Sequence, residues 1–106
     1  MCVLAARRAG AAEIVVTDIS DTALSYSSLV GADITINSLK NYSSLEDFQS
    51  GKGFFDVAIE CSGSESAIKD VIKCLRPKGT LVQLGLGGDI LMPLVAVTTK
   101  ELNIKG

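Results

Sequence analysis

The run Ile14-Val15-Val16 is apolar at consecutive positions and ends, after Thr17, in a single acid, Asp18. A strand with one wet face alternates apolar and polar residues. A strand that is apolar throughout is covered on both faces, the condition of a parallel strand in an α/β sheet. FFDVAIE at 54 to 60 and the stretch Thr80 to Leu84 are two further strong strands, with helical segments between them. Alternation of this kind implies parallel βαβ units, with helices on both faces of one sheet. The fold class expected is α/β, built on a doubly wound parallel sheet.

The remaining elements follow from caps and periodicity. Residues 2 to 9 form a helix end, with Val3, Leu4 and Ala6 apolar, Arg7 and Arg8 in the last turn and Gly10 as the stop. Ser20 can cap a helix over 21 to 30, closed by Gly31, although Ser25, Ser27 and Ser28 favour caps and turns over helix interiors. Ile34 to Ile36 is a short strand, and Tyr42 to Gln49 a short helix that ends at the Gly51, Gly53 turn. Ser64 can cap a helix in which Ala67, Ile68, Val71, Ile72 and Leu75 recur at helical spacing, and Arg76-Pro77-Lys78-Gly79 ends it and turns the chain. After the glycines at 85, 87 and 88 come a proline-bearing stretch and a last short strand, Leu102 to Lys105.

Composition excludes several functions. The 106 residues allow one domain with a modest core. A formal charge of -2 provides no basic patch for nucleic acid. No apolar run approaches the roughly 18 residues of a membrane span, and MCVLAARRAG has its arginines after the apolar stretch, the reverse of a signal peptide. The expectation is a soluble, cytoplasmic protein. An apolar content of 47% and a mean hydropathy of +0.36 suit elements covered on both faces, or a surface that expects a partner. There is no histidine, so the commonest general base near neutral pH is missing. Cys2, Cys61 and Cys74 are an odd, scattered set without a CxxC pair, read as small buried hydrophobes rather than as a disulfide framework or zinc site.

Ligands of open parallel sheets sit at the carboxyl ends of the strands. Three strand ends here carry suitable chemistry: Asp18, then Cys61-Ser62-Gly63, then Gly85 with Gly87 and Gly88. A carboxylate after a strand can accept from both ribose hydroxyls and repels a 2′-phosphate, which favours NAD over NADP. Asp18 can equally be a turn or cap acid for the helix after it. Ser62-Gly63 can let backbone pass close to a nucleotide, or turn the chain into a helix. GLGG at 85 to 88 can admit a cofactor ring or turn the chain, but is no phosphate loop, because no helix with a third glycine in step follows.

Together, GAAEIVVTDIS, VGAD at 30 to 33, FDVAIECSG at 55 to 63, RPKGTLVQLGLGG at 76 to 88 and KELNIKG at 100 to 106 resemble, in order and spacing, the cofactor domain of the medium-chain zinc-containing alcohol and polyol dehydrogenases. The branch most similar is that of sorbitol dehydrogenase and L-idonate 5-dehydrogenase, and the resemblance covers nearly the whole chain. It implies a Rossmann-like NAD(P)-binding domain with strand order 3-2-1-4-5-6. Asp18, followed by Ile19, takes the place of the ribose acid, Ser62 and Gly63 the loop after the fourth strand, and Leu84, Gly85 and Leu86 the backbone contacts beside the nicotinamide. Two departures stand out. An arginine that polyol dehydrogenases often carry five residues after the ribose acid, near the adenine, is Ala23 here, and the serine-rich segment Ser25 to Ser28 lacks the usual Ala and Lys.

The resemblance further implies that the first strand and glycine loop belong before Met1, and that residues 1–106 are a partial NAD(P)-binding domain. The catalytic zinc and its ligands lie in a domain absent from these residues, so no catalytic and no metal residue is assigned. Without strand 1, the sheet would carry a gap about two strand spacings wide, about 9.6 Å. Marginal stability and poor NAD binding are then expected of residues 1–106 alone. The substrate implied is a small polyol or sugar acid. Asp89 to Pro93 and Leu102 to Lys105 fall where these dehydrogenases pair subunits, which implies a homo-oligomer; packing on the domain's own helix is the alternative. An S-adenosylmethionine methyltransferase, which also ends strand 2 in an acid, and a non-catalytic nucleotide-binding remnant are the rival readings. The CSG loop and the GLGG run speak against the first.

Overall fold

A computed structural model describes residues 2–85, 88, 89 and 91–106. It has five helices and five strands among them: α1 (Cys2–Arg8), β1 (Val15–Asp18), α2 (Asp21–Leu29), β2 (Ile34–Asn37), α3 (Tyr42–Gln49), β3 (Phe55–Glu60), α4 (Glu65–Cys74), β4 (Leu75–Gln83), α5 (Leu94–Lys100) and β5 (Asn103–Lys105). Every ladder is parallel, which bears out the α/β reading. The strands hydrogen-bond into two sheets, β1-β2 and β3-β4-β5. Their internal orders are those implied for strands 2 and 3 and for strands 4, 5 and 6. The chain divides into two compact units, Met1–Glu46 and Asp47–Gly106.

In the first unit, β1 and β2 run in register from Val15 opposite Ile34 to Asp18 opposite Asn37. The Arg7 guanidinium at the end of α1 donates to the Gly31 carbonyl (2.8 Å) and to Asp33 Oδ2 (2.7 Å), which also accepts from the Ile14 N–H (2.7 Å). One carboxylate thus fastens the helix end, the entry to β1 and the entry to β2. The Ile14 N–H, then Arg7, hold the Asp33 carboxyl below its ordinary pKa. Helix α2 forms despite its serines: Ser20 caps it by accepting from the Ala23 N–H (3.3 Å), Ser27 turns its hydroxyl back to the Ala23 carbonyl (3.1 Å), and Leu24 is buried.

The second unit has its core between α4 and the sheet, where Ile68, Ile72, Leu75 and Leu81 form one buried cluster, joined by Phe55, Ala58, Val71, Ala96, Val97 and Leu102. The helix ends one residue sooner than its apolar spacing predicts. Leu75 is the first residue of β4, yet stays in the core with no exposed surface. Arg76-Pro77-Lys78-Gly79 does not separate helix from strand but lies inside the ladder: Phe55 pairs with Leu75 and Val57 with Thr80, so the extra residues bulge out of β4. Lys78 takes a left-handed φ of 67° to make the bend. Phe48, Phe54 and Phe55 pack as an aromatic trio with ring centroids 4.9 to 5.3 Å apart.

Helix α5 is absent from the sequence reading. It begins behind Pro93 and ends where Glu101 adopts φ 55°. Its Lys100 ammonium donates to the carbonyls of Ile72 (3.0 Å), Lys73 (3.3 Å) and Leu75 (2.8 Å), filling acceptors that the end of α4 leaves open. Among the described residues, no helix is long and apolar enough to cross a membrane.

Candidate functional site

Asp18 ends β1, and its Oδ1 accepts from the N–H groups of Ile19 (2.7 Å) and Ser20 (3.1 Å). The turn role offered by the sequence is therefore real, and it uses one oxygen. Oδ2 has no hydrogen-bond partner among the described residues, and the Ile19 side chain beside it is 63% exposed. The turn is backed by Asn37, which is buried at the end of β2. Its amide donates to the Ile19 carbonyl (3.2 Å) and Asp21 Oδ1 (2.9 Å), and its oxygen accepts from the N–H groups of Leu39 (3.0 Å) and Lys40 (3.1 Å). Hydrogen bonds from Lys40 and then Asn37 lower the Asp21 pKa.

In the second unit, the ends of β3 and β4 meet through one side chain that the sequence reading passed over. Glu60, the last residue of β3, is 4% exposed. Its carboxylate accepts from the Ser62 N–H (2.8 Å), the Ser62 hydroxyl, the Gly63 N–H (2.8 Å) and the Gln83 carboxamide (2.7 Å). Its backbone carbonyl accepts from Leu84 (2.9 Å) and Gly85 (3.0 Å), and the Gln83 carboxamide also reaches the Gly85 carbonyl (3.3 Å). Burial pushes the Glu60 pKa up, but the Ser62 hydroxyl, the Gly63 N–H, the Gln83 amide and the Ser62 N–H outweigh it and hold the carboxyl below its ordinary value. The signal was present in the sequence: an acid closing an apolar strand, opposite a glutamine that closes the next one.

Ser62, Gly63, Leu84 and Gly85 are thus brought together. Gly63 has φ 72°, and a Cβ on Gly85 would lie 2.2 Å from the Gly63 nitrogen and 2.8 Å from the Cys61 carbonyl carbon. The close backbone approach read at Ser62-Gly63 is made to Gly85. A cavity of about 130 Å³ beside them is lined by Gly63, Ile68, Gln83, Gly85, Gly88, Met92 and Ile104. The expectation for Leu86, like those for Gly87 and Ile90, lies outside the described residues. Ser64 stands at the cap of α4 as expected, yet its hydroxyl pairs with Ser66 (3.1 Å) rather than with the helix backbone.

The cysteines do not share one environment. Cys74 is buried, and burial pushes its thiol up to about 11, with the nearby Gln49 carboxamide opposing the rise; Cys61, past the end of β3, is exposed. Among the described residues no group of three or more His, Cys, Asp or Glu could hold a metal ion, so these residues do not fit a zinc site.

The model of the zinc-binding dehydrogenase family matches residues 1–106. An L-idonate 5-dehydrogenase (NAD(P)(+)) of Escherichia coli K12 is 34% identical over 107 residues, covering 100% of this chain and 31% of the relative. Sorbitol dehydrogenase of Bos taurus is 41% identical over 108 residues, covering 97% of this chain and 30% of the relative. The crystal structure of the E. coli L-idonate 5-dehydrogenase superposes with a TM-score of 0.94, at 34% identity, over 99% of this chain and 30% of that one. A zinc-dehydrogenase-like protein of Sinorhizobium meliloti 1021, solved with NADP bound, gives 0.85 at 26% identity, over 98% of this chain and 32% of that one. The chain therefore spans about a third of the length of the relatives it matches. The match places the chain in the zinc-binding dehydrogenase family and not with the methyltransferases.

Proposed function

The chain belongs to the zinc-binding dehydrogenase family along its whole length, and from that we propose that it is the nicotinamide-cofactor-binding portion of a dehydrogenase that oxidises a secondary alcohol of a small polyol or sugar acid. The observation that carries this is the strand-end arrangement in which Gly63 and Gly85 let the ends of β3 and β4 meet backbone to backbone, beside a cavity at the carboxyl ends of parallel strands, where such sheets hold their ligands. In this reading residues 1–106 are a partial NAD(P)-binding domain. The glycine loop and first strand, and the domain that binds catalytic zinc, are supplied by other segments of the parent protein.

The roles follow from chemistry. Asp18 uses Oδ1 to fix its own turn and keeps Oδ2 for a ribose hydroxyl, with exposed Ile19 against the adenine side. Ser62 and Gly63 bound the cofactor from the loop after β3, and Leu84, Gly85 and Leu86 supply backbone contacts beside the nicotinamide. When bound, the nicotinamide accepts or returns the hydride of the alcohol carbon. The chain's own residues bind and orient it. NAD is preferred over NADP, because a carboxylate at the ribose repels a 2′-phosphate; Ala23, which brings no guanidinium to the adenine, lowers adenine affinity and counts against that preference.

The test is cofactor binding by the parent protein. NADH is expected to bind with enhanced fluorescence, and Asp18→Ala to weaken it about tenfold, the worth of one charge-assisted hydrogen-bond set. An Asp18→Ala protein that binds NADH as tightly as the unaltered one would remove Asp18 from this role, and no binding of NADH or NADPH by the unaltered parent protein would remove the reading.

The same reading includes a homo-oligomer through Asp89 to Pro93 and Leu102 to Lys105. Strand β5 pairs with β4 on one side and its three residues are exposed, and Leu91, whose N–H donates to Glu65 Oε1 (2.8 Å), is 77% exposed. The parent protein is expected to sediment as a dimer or larger, and Leu91→Glu to shift it toward monomer at micromolar concentration. A sedimentation profile that Leu91→Glu leaves unchanged counts against this surface.

A further inference from the structure

Glu60 is an ionised side chain in the interior of its unit whose donors are all neutral: two backbone N–H groups, a hydroxyl and a carboxamide. Such donors solvate a buried charge without cancelling it, and no cation pairs with Glu60 among the described residues. The donors it takes are those of the loop itself. The N–H groups of Ser62 and Gly63 turn inward to Glu60, so neither is left to cradle a phosphate, and a carboxylate beneath the loop repels an anion placed on it. The part of a dinucleotide suited to this loop is its neutral or cationic end.

We propose that Glu60 is a positioning residue that also selects the redox state of the cofactor: it pins Ser62 and Gly63 onto Gly85 and sets one uncompensated negative charge beneath the stretch that takes the nicotinamide, favouring the cationic oxidised ring over the neutral reduced one. This rests on the cofactor-binding reading above. Geometry and charge make separable contributions. Loosening the loop weakens both redox forms alike, because both carry the same ribose and pyrophosphate. Removing the charge weakens only the form whose ring is positive, and a buried charge acts through a medium far less polar than water.

The experiment measures Kd for the oxidised and the reduced cofactor on the parent protein by calorimetry, together with Tm. In Glu60→Gln one oxygen that accepts two hydrogen bonds becomes an N–H₂ facing two donors, so Tm falls and both affinities drop. Beyond that common loss, the oxidised form is expected to lose about three- to tenfold more than the reduced form. Ser62→Ala, which removes a hydroxyl donor and keeps the charge, is expected to change both affinities by the same factor. Where Glu60→Gln does not fold, the exchange of Glu60→Gln with Gln83→Glu keeps one carboxylate and one carboxamide at the paired positions and should hold the ratio of the two Kd values within about threefold of the unaltered protein. An unaltered protein that binds neither form defeats the cofactor reading itself. Binding in which Glu60→Gln leaves the ratio unchanged, or a folded exchange protein that has lost it, overturns the charge role alone.

Discussion

Gly85→Ala is expected to cost the Asp47–Gly106 unit about 3–5 kcal/mol and to abolish binding at its strand ends. The added Cβ falls 2.2 Å from the Gly63 nitrogen and 2.8 Å from both the Gly63 Cα and the Cys61 carbonyl carbon. All three are backbone atoms, so no side-chain rotation relieves the overlap. Nor is the loop free to retreat, since the Glu60 carboxylate holds the N–H groups of Ser62 and Gly63 while its carbonyl holds those of Leu84 and Gly85. An overlap this deep against backbone exceeds the usual overpacking cost of about 1–3 kcal/mol, and withdrawal of the loop breaks two backbone hydrogen bonds to a charged group, at about 1.5–3 kcal/mol each. Gly10→Ala is the control. Gly10 has φ 95° with nothing within 4 Å of its added Cβ, so only backbone strain of about 1–2 kcal/mol applies. Urea unfolding of the two variants separates them, and a Gly85→Ala midpoint no lower than that of Gly10→Ala would show that the strand-end loop is slack.

That contact marks the limit of what the sequence could say. Apolar continuity in Ile14 to Val16 and the acid after it determined the parallel class and the place of Asp18, because both depend on local pattern. The two readings of Asp18 stayed open because they differ only in which oxygen is used, and the structure uses one for the turn. Helix α5 was hidden because Val95, Val97, Thr98 and Thr99 are β-branched and Pro93 precedes them. What secures it is tertiary: Ala96 and Val97 pack on the core and Lys100 reaches the end of α4. RPKG read as a turn since proline and glycine punctuate locally, whereas the ladder resumes on both sides of it. Glu60 was missed for the same reason. Its role is set by a glutamine more than twenty residues away in sequence, and strand patterning gives no weight to an acid at a strand's last position.

Leu81→Ala is expected to destabilise the Asp47–Gly106 unit by about 3–5 kcal/mol, the upper part of the range for a buried leucine. Leu81 has no exposed surface and sits in the cluster with Ile68, Ile72 and Leu75. The site cannot collapse around the smaller side chain, because Leu81 lies on β4, paired with Ala58 of β3 on one side and Ile104 of β5 on the other. A cavity between two fixed ladders stays open, and the cost grows with its residual volume. Domains of about 60 residues bury a smaller fraction of their surface than larger domains do and have only a few kcal/mol to lose. The loss should be read by hydrogen exchange as well as by urea. Since β4 is the strand to which both β3 and β5 pair in this sheet, the amides of Val57 to Ile59 and of Ile104 are expected to lose protection together in Leu81→Ala. Exposed Leu29→Ala, in the other unit, should leave them unchanged. Loss confined to β4, with β3 still protected, would mean that the aromatic trio of Phe48, Phe54 and Phe55 holds β3 without the central strand, and that the core is less cooperative than its packing implies.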